Sequence, residues 1–289
     1  MNQIFTVGAG TMGLGIAQTF AAKGKEVVIR DITDEIIDRA RIKLQNDLSK
    51  LAEKKKISET EKADVLGRVR FTTDLSEAAN AELVIEAVLE NSEIKKKLFQ
   101  DLDGICEPAA IFASNTSSIS ITEVASATKR PDQFIGMHFF NPAPVMRLVE
   151  VIRGARTSDK TFHAVYDLAA EIGKDPIEVQ EAPAFVVNKV LIPMINEAVG
   201  LLSEGIASAA DIDKAMMLGA NHPMGPLALG DFIGLDICIS ILDTIHRETG
   251  DPKYAAHPLL RKMVRGGLLG KKSGRGFYDY SEQSRKQAF

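Results

Sequence analysis

Cysteine is nearly missing from this chain, and its scarcity removes a class of site. The two that occur, Cys106 and Cys238, lie far apart, and neither has a second cysteine or a histidine at metal-finger spacing. No metal site is expected, and both read as buried reduced thiols. Long apolar runs are also missing, as is a basic segment followed by an apolar stretch at the start. The expectation is a cytoplasmic protein without a membrane span. Positive charge is in no excess, with 35 Lys+Arg against 39 Asp+Glu and a net charge of -4. That balance argues against a nucleic-acid partner, so an anionic ligand has to be met by a local basic cluster. No internal repeat or low-complexity tract is visible.

What remains is an ordinary folded composition, 45% hydrophobic and 26% charged over 289 residues, a length that suits two domains. Ile4-Phe5-Thr6-Val7 is a short β-prone run cut off by Gly8. The stretch Gly8-Ala9-Gly10-Thr11-Met12-Gly13 follows, and then Ile16, Ala17, Phe20 and Ala21 recur at helical spacing. Gly24 reads as a C-cap. Residues 26–30 form a second strand closed by Asp31. The stretch 33–56 is a long helix with Ile36, Ile37, Ala40, Leu44, Leu48 and Leu51 on one stripe, and Ser58-Glu59-Thr60-Glu61 is a capping box that opens another. These two make a helical-hairpin insertion. Further strands are predicted at 69–72, 83–86, 111–114, 134–138, 148–152 and 176–179, with helical stretches between several of them. That alternation predicts an α/β fold with a doubly wound, mostly parallel sheet of Rossmann type. Beyond Glu181-Ala182-Pro183 no strand is convincing, and helical patterns occupy 185–203, 211–218 and 231–248. The predicted domains are therefore a dinucleotide-binding domain over 1–183 and a smaller all-α domain over 184–289.

A G-x-G-x-x-G loop between a strand and a helix suits a dinucleotide pyrophosphate, because a helix N-terminus offers N–H groups and the positive end of its dipole. Gly8 and Gly10 permit the turn and the backbone approach, and Gly13 lets helix and strand pack closely. Asp31 follows about 20 residues on, where a carboxylate binds the adenosine 2′-OH and repels a 2′-phosphate. Its other reading is an N-cap. Arg30 beside it leaves NADP open, although NAD is favoured. Read from residues alone, His138 at a strand end is a structural histidine or a general base. Glu150 lies within an apolar run, so it is either paired where buried or exposed on an edge strand. Ser117 reads equally as a helix cap, and Asn188 as a packing amide.

Together these strings resemble the 3-hydroxyacyl-CoA dehydrogenase family, and within it the stand-alone bacterial 3-hydroxybutyryl-CoA dehydrogenases. The resemblance covers essentially the whole chain. It rests on the 8–13 loop, on Ala113-Ser114-Asn115-Thr116-Ser117-Ser118, on Gly136-Met137-His138-Phe139-Phe140-Asn141-Pro142 and on Leu148-Val149-Glu150-Val151-Ile152. It continues through Phe185-Val186-Val187-Asn188, Asn221-His222-Pro223-Met224-Gly225-Pro226 and Lys272-Ser273-Gly274-Arg275-Gly276-Phe277-Tyr278. The resemblance implies an NAD-dependent oxidoreductase of short 3-hydroxyacyl-CoA substrates. In it His138 is the base, Glu150 orients it, and Ser117 and Asn188 hold the substrate oxygen; imidazole suits the proton transfer because it titrates near working pH. At the cofactor it places Gly8, Ala9, Gly10, Thr11, Met12, Gly13, Asp31, Glu90, Lys95, Asn115, Asn141 and Lys272. Lys95 reads otherwise as a solvated charge beside Lys96 and Lys97.

The family binds CoA with its helical hairpin, which implies Lys50 and Lys54, one turn apart beside Lys55 and Lys56, as phosphate contacts. A dehydrogenase of a CoA-free hydroxy acid or sugar acid is the alternative, and a non-enzymatic use of the fold is a third reading. Ile192, Met194, Ile195, Leu201, Leu202, Met216, Met217 and Ile237 give the helical domain more apolar surface than its size needs. A homodimer or higher homo-oligomer is expected, as the resemblance also implies.

Overall fold

The computed structural model describes residues 1–281. The chain divides into two compact units, one ending at Ala182 and one starting at Pro183.

In the first unit β1 (Gln3–Val7), β2 (Glu26–Arg30), β3 (Val69–Thr72), β4 (Leu83–Glu86), β5 (Ile111–Ser114), β6 (Phe134–Phe139), β7 (Leu148–Arg153) and β8 (Asp175–Gln180) build one sheet. Their spatial order is β3-β2-β1-β4-β5-β6-β7-β8. Every neighbouring pair is parallel except β6–β7. The order switches between β1 and β4, and the carboxyl ends of β1, β2, β4, β5 and β6 share one edge, where such sheets gather ligand groups. All the expected strands are present; β6, β7 and β8 run slightly longer than their apolar cores.

Helix α1 (Thr11–Ala21) leaves β1 through the glycine loop. It ends in a Schellman turn at Gly24, in which the Lys25 N–H donates to the Phe20 carbonyl and the Gly24 N–H to Ala21. Helices α2 (Asp34–Glu53) and α3 (Glu59–Arg68) form the hairpin between β2 and β3. Thr33 caps α2, and Ser58 with Glu61 forms the reciprocal capping box of α3. Ile37, Ala40, Leu44 and Leu48 join the sheet's core. Leu44 and Leu48 are fully buried, each contributing on the order of 2 kcal/mol to seating the hairpin. The unit is completed by α4 (Ser92–Asp103), α5 (Ile121–Ala125) and α6 (Asp159–Glu171).

The second unit contains α7 (Val187–Ser203), α8 (Ala209–Gly219), α9 (Pro226–Ile233), α10 (Leu235–Thr249) and α11 (Pro258–Arg265). The single helix expected over 231–248 is in fact two. Gly234 takes φ +106 and breaks α9 from α10, a backbone state that an L-residue resists. Apolar spacing continues through the break because Leu227, Leu235, Cys238, Ile241 and Leu242 all enter one core. Ile192 and Ile195, expected to supply surplus apolar surface, are fully buried in that same core. Leu201, Met217 and Ile237 are the exposed members of that group. No helix is long and apolar enough to cross a membrane among the described residues.

Candidate active site

The loop between β1 and α1 is held by geometry that only glycine satisfies at two positions. Gly8 adopts φ +104, and a Cβ there would stand 2.4 Å from the Ala87 carbonyl oxygen; at Gly13 it would stand 1.8 Å from the Gly8 carbonyl oxygen. Gly13 therefore packs against the loop itself as well as against the strand. Gly10 differs, since a Cβ would meet nothing within 4 Å. No packing within the protein demands glycine there, so the bare backbone is open to an approaching group. The first turn of α1 also has no side-chain cap, whereas α2 to α6 are capped by Thr33, Ser58, Asn91, Ser120 and Ser158. Exposed N–H groups beside an unobstructed glycine fit a dinucleotide pyrophosphate.

Asp31 closes β2. One carboxylate oxygen accepts from the Ala9 N–H at 2.6 Å and the other from the Ile32 N–H at 2.7 Å. It is not the cap of α2, which removes its alternative reading. Arg30 points its Nε at the Thr73 carbonyl, 3.3 Å away.

At the ends of β4 and β5 lies a denser cluster. Glu90 accepts at one oxygen from the Thr116 hydroxyl (2.6 Å), the Ser117 N–H (3.0 Å) and the Ser118 N–H (3.2 Å). Its other oxygen pairs with Lys95 Nζ at 3.2 Å. Burial pushes the Glu90 carboxyl up, but Lys95, the Thr116 hydroxyl and the Ser117 amide together hold it below the usual carboxylate range. Lys95 is 1% exposed, so it is no solvated charge. The structure brings Ser117, Glu90 and Lys95 together. Ser120, not Ser117, caps α5.

His138 and Glu150 face each other across the antiparallel β6–β7 pair. Nδ1 lies 2.7 Å from Glu150 Oε2, with the glutamate fully buried. The register places the acid inside the sheet, so it is not an exposed edge residue. Asn115 ties the two groups of residues, its side-chain oxygen accepting from the Phe139 N–H at 2.8 Å. The loop carrying Asn141 is anchored by buried Lys174, whose ammonium donates to the carbonyls of Ala143 (2.5 Å) and Met146 (2.8 Å).

Four further residues were expected at the site. Lys50 and Lys54 are exposed at the end of α2, where neither forms an ion pair among the described residues. In the second unit Asn188 is half-buried in the first turn of α7, and Lys272 pairs with Asp236 at 2.6 Å. Sequence reasoning passed over Glu86, Ser114 and Lys174. Glu86 carried a usable signal, an acid at the end of an otherwise apolar buried strand.

A glycine loop that fits a pyrophosphate, on the same sheet edge as an imidazole held by a buried carboxylate, has a direct chemical meaning. Hydride leaves a carbinol carbon as its hydroxyl proton is taken, so the two sites must adjoin. The class is an NAD-dependent dehydrogenase acting on a CH–OH group. Residues 3–182 match the 3-hydroxyacyl-CoA dehydrogenase, NAD binding domain, and residues 185–280 match the 3-hydroxyacyl-CoA dehydrogenase, C-terminal domain. The chain belongs to the 3-hydroxyacyl-CoA dehydrogenase family, and NAD is its cofactor.

It is 52% identical over 280 residues to a 3-hydroxybutyryl-CoA dehydrogenase of Clostridioides difficile, covering 97% of this chain and 100% of that one. A probable 3-hydroxybutyryl-CoA dehydrogenase of Bacillus subtilis is 52% identical over 284 residues, covering 98% and 99%. The crystal structure of (S)-3-hydroxybutyryl-CoA dehydrogenase from Ralstonia eutropha superposes with a TM-score of 0.94 at 49% identity, covering 97% of this chain and 99% of the other.

Proposed function

We propose that this enzyme interconverts (S)-3-hydroxybutyryl-CoA and acetoacetyl-CoA, with His138 moving the proton of the 3-oxygen. The observation that carries this reading is the 2.7 Å contact between His138 Nδ1 and buried Glu150. A carboxylate can only accept, so Nδ1 carries the ring proton and the lone pair lies on Nε2. His138 Nε2 takes the hydroxyl proton in oxidation and returns it in reduction. Glu150 fixes the tautomer and stabilises the imidazolium as it forms. Ser117 and Asn188 hold the substrate oxygen by hydrogen bonding. Bound NAD supplies the hydride acceptor.

For NAD, the 8–13 loop receives the pyrophosphate, Asp31 the adenosine ribose, and Glu90, Lys95, Asn115, Asn141 and Lys272 the remainder. Lys50 and Lys54 take the CoA phosphates. The working form is a homodimer or larger homo-oligomer that covers exposed apolar residues of the second unit such as Leu218 and Phe232, 76% and 56% exposed.

The test is turnover of acetoacetyl-CoA, with free acetoacetate in parallel, by the native chain and His138→Gln. The substitution should lower kcat by about a thousandfold with the Kd for NADH changed little. Near-normal turnover by the variant would remove His138 from the chemistry. Equal rates on free acetoacetate would remove CoA from recognition.

A further inference from the structure

Glu86 is a buried acid to which the proposed chemistry assigns no task. It ends β4, has no exposed surface, and shares Lys95 with Glu90. One carboxylate oxygen accepts from Lys95 Nζ at 2.5 Å and from the Val88 N–H at 2.7 Å. The other accepts from the Ser114 hydroxyl at 2.6 Å. That hydroxyl has a single proton, so its lone pair is left to receive the Thr116 N–H at 3.2 Å. The Thr116 hydroxyl in turn donates to Glu90. Two branches thus run from Glu86, one through Lys95 and one through Ser114 and Thr116, and both end on the Glu90 carboxylate.

Neutralising Lys95 does not require Glu86, because Glu90 already pairs with it. Burying the Glu86 carboxylate carries a desolvation penalty, so the arrangement calls for something Glu90 alone cannot provide. With only Glu90 present, the ammonium would be free to draw that carboxylate away from the 116–118 backbone. With Glu86 bound at 2.5 Å, Lys95 is held by a second carboxylate and Glu90 stays on the loop amides. We propose that Glu86 is a positioning residue for the Ser117 side of the site, fixing Lys95 and Ser114 so that Glu90 holds the 116–118 loop in place. It stands to Ser117 as Glu150 stands to His138, but acts through two intermediates. The link to turnover rests on the reading that Ser117 contacts substrate; the link to loop order does not.

The test uses full-length Glu86→Gln and Ser114→Ala. Amide hydrogen exchange is measured on the ligand-free protein, together with kcat, KM for acetoacetyl-CoA and the Kd for NADH from NADH emission. In Glu86→Gln, exchange at 116–118 should quicken while β1 and α6 are unchanged, and kcat should fall at least tenfold with KM within about threefold. Ser114→Ala, which keeps the charges, should move both readouts the same way by less. Unchanged loop exchange and unchanged kcat in Glu86→Gln would overturn the proposal. So would a uniform rise in exchange across the first unit with normal kcat per folded molecule, the signature of a purely structural acid. If Glu86→Gln fails to fold, Ser114→Ala decides by the same two readouts. Ser117→Ala separates the two readings: normal turnover there removes Ser117 from the substrate, while the exchange result still judges Glu86.

Discussion

Buried carboxylates are handled differently in the two units. In the first, Glu86 faces Lys95, which the more exposed Glu90 also meets, Asp103 faces Arg130, and Glu150 faces His138. In the second, Asp213 and Asp231 are buried without a cationic partner among the described residues. Asp213 accepts from the Leu227 and Ala228 N–H groups at the start of α9 and from the Tyr278 hydroxyl. Asp231 accepts from the Phe277 and Tyr278 N–H groups and the Tyr280 hydroxyl. The acids facing Lys95 and His138 hold groups of the candidate site, whereas an acid satisfied by backbone N–H groups ties chain segments together.

The contrast explains the glycines in two of the strings that carry the family resemblance. A Cβ on Gly225 would stand 2.2 Å from Asp213 Cβ, and one on Gly276 1.9 Å from Asp231 Oδ1. Those glycines are dictated by the two aspartates.

Two substitutions test the division most strongly. Glu150→Gln should lower kcat by roughly a thousandfold or more, since the imidazole loses both its tautomer control and its counter-charge. Its melting temperature should move little. Asp213→Ala should do the reverse. It removes the α9 cap and the Tyr278 partner, lowering stability by about 2 kcal/mol, read from urea unfolding, with kcat per folded molecule close to native. If Asp213→Ala abolished turnover in the folded protein, the two kinds of acid would not be distinct.

How far sequence reached into these features depends on what was visible from one element at a time. The sheet was legible because its buried strands are short apolar runs bounded by glycine, proline or acid. The His138–Glu150 pair was legible through the family resemblance, since an acid within an apolar run left an exposed edge position open as well. Lys95 was harder, since Lys95-Lys96-Lys97 reads as a solvated run. Only the helical period reveals it, for Lys95, Phe99 and Leu102 share the buried face of α4. Lys174 could not be foreseen, because its partners are carbonyls of a loop 28 and 31 residues away. The break at Gly234 was masked by apolar spacing that serves one core from two helices.

Exposed charge gives a weaker version of the same contrast. Lys50 and Lys54 have no counter-ion among the described residues, so if the first unit reserves charge for ligands they should be felt in binding. Lys50→Ala with Lys54→Ala should raise KM for acetoacetyl-CoA by about tenfold at low ionic strength and much less at 1 M salt. An unchanged KM at low salt would leave the CoA phosphates to other residues.

The smallest expected effect is one of sign, and it opposes the two units directly. Burial pushes the Asp231 carboxyl above the ordinary aspartate value of 3.8, by more than the Phe277 and Tyr278 N–H groups pull it down. The folded state then binds that proton more tightly than the unfolded one. The resulting stability is fully present below 3.8 and is lost as pH rises through the raised value. Glu90 is the opposite case, held below its ordinary 4.5 in spite of burial because Lys95, Thr116 and Ser117 favour the charged form. Its contribution is present above 4.5 and is lost as pH falls through the lowered value. On acidification the native protein should therefore gain stability relative to Asp231→Asn and lose it relative to Glu90→Gln. The chain has no tryptophan, so hydrogen exchange at pH values above and below 4.5, corrected for intrinsic rates, is the measurement that assigns each slope to its unit. Slopes of the same sign for both variants would mean that the two units do not hold their acids differently.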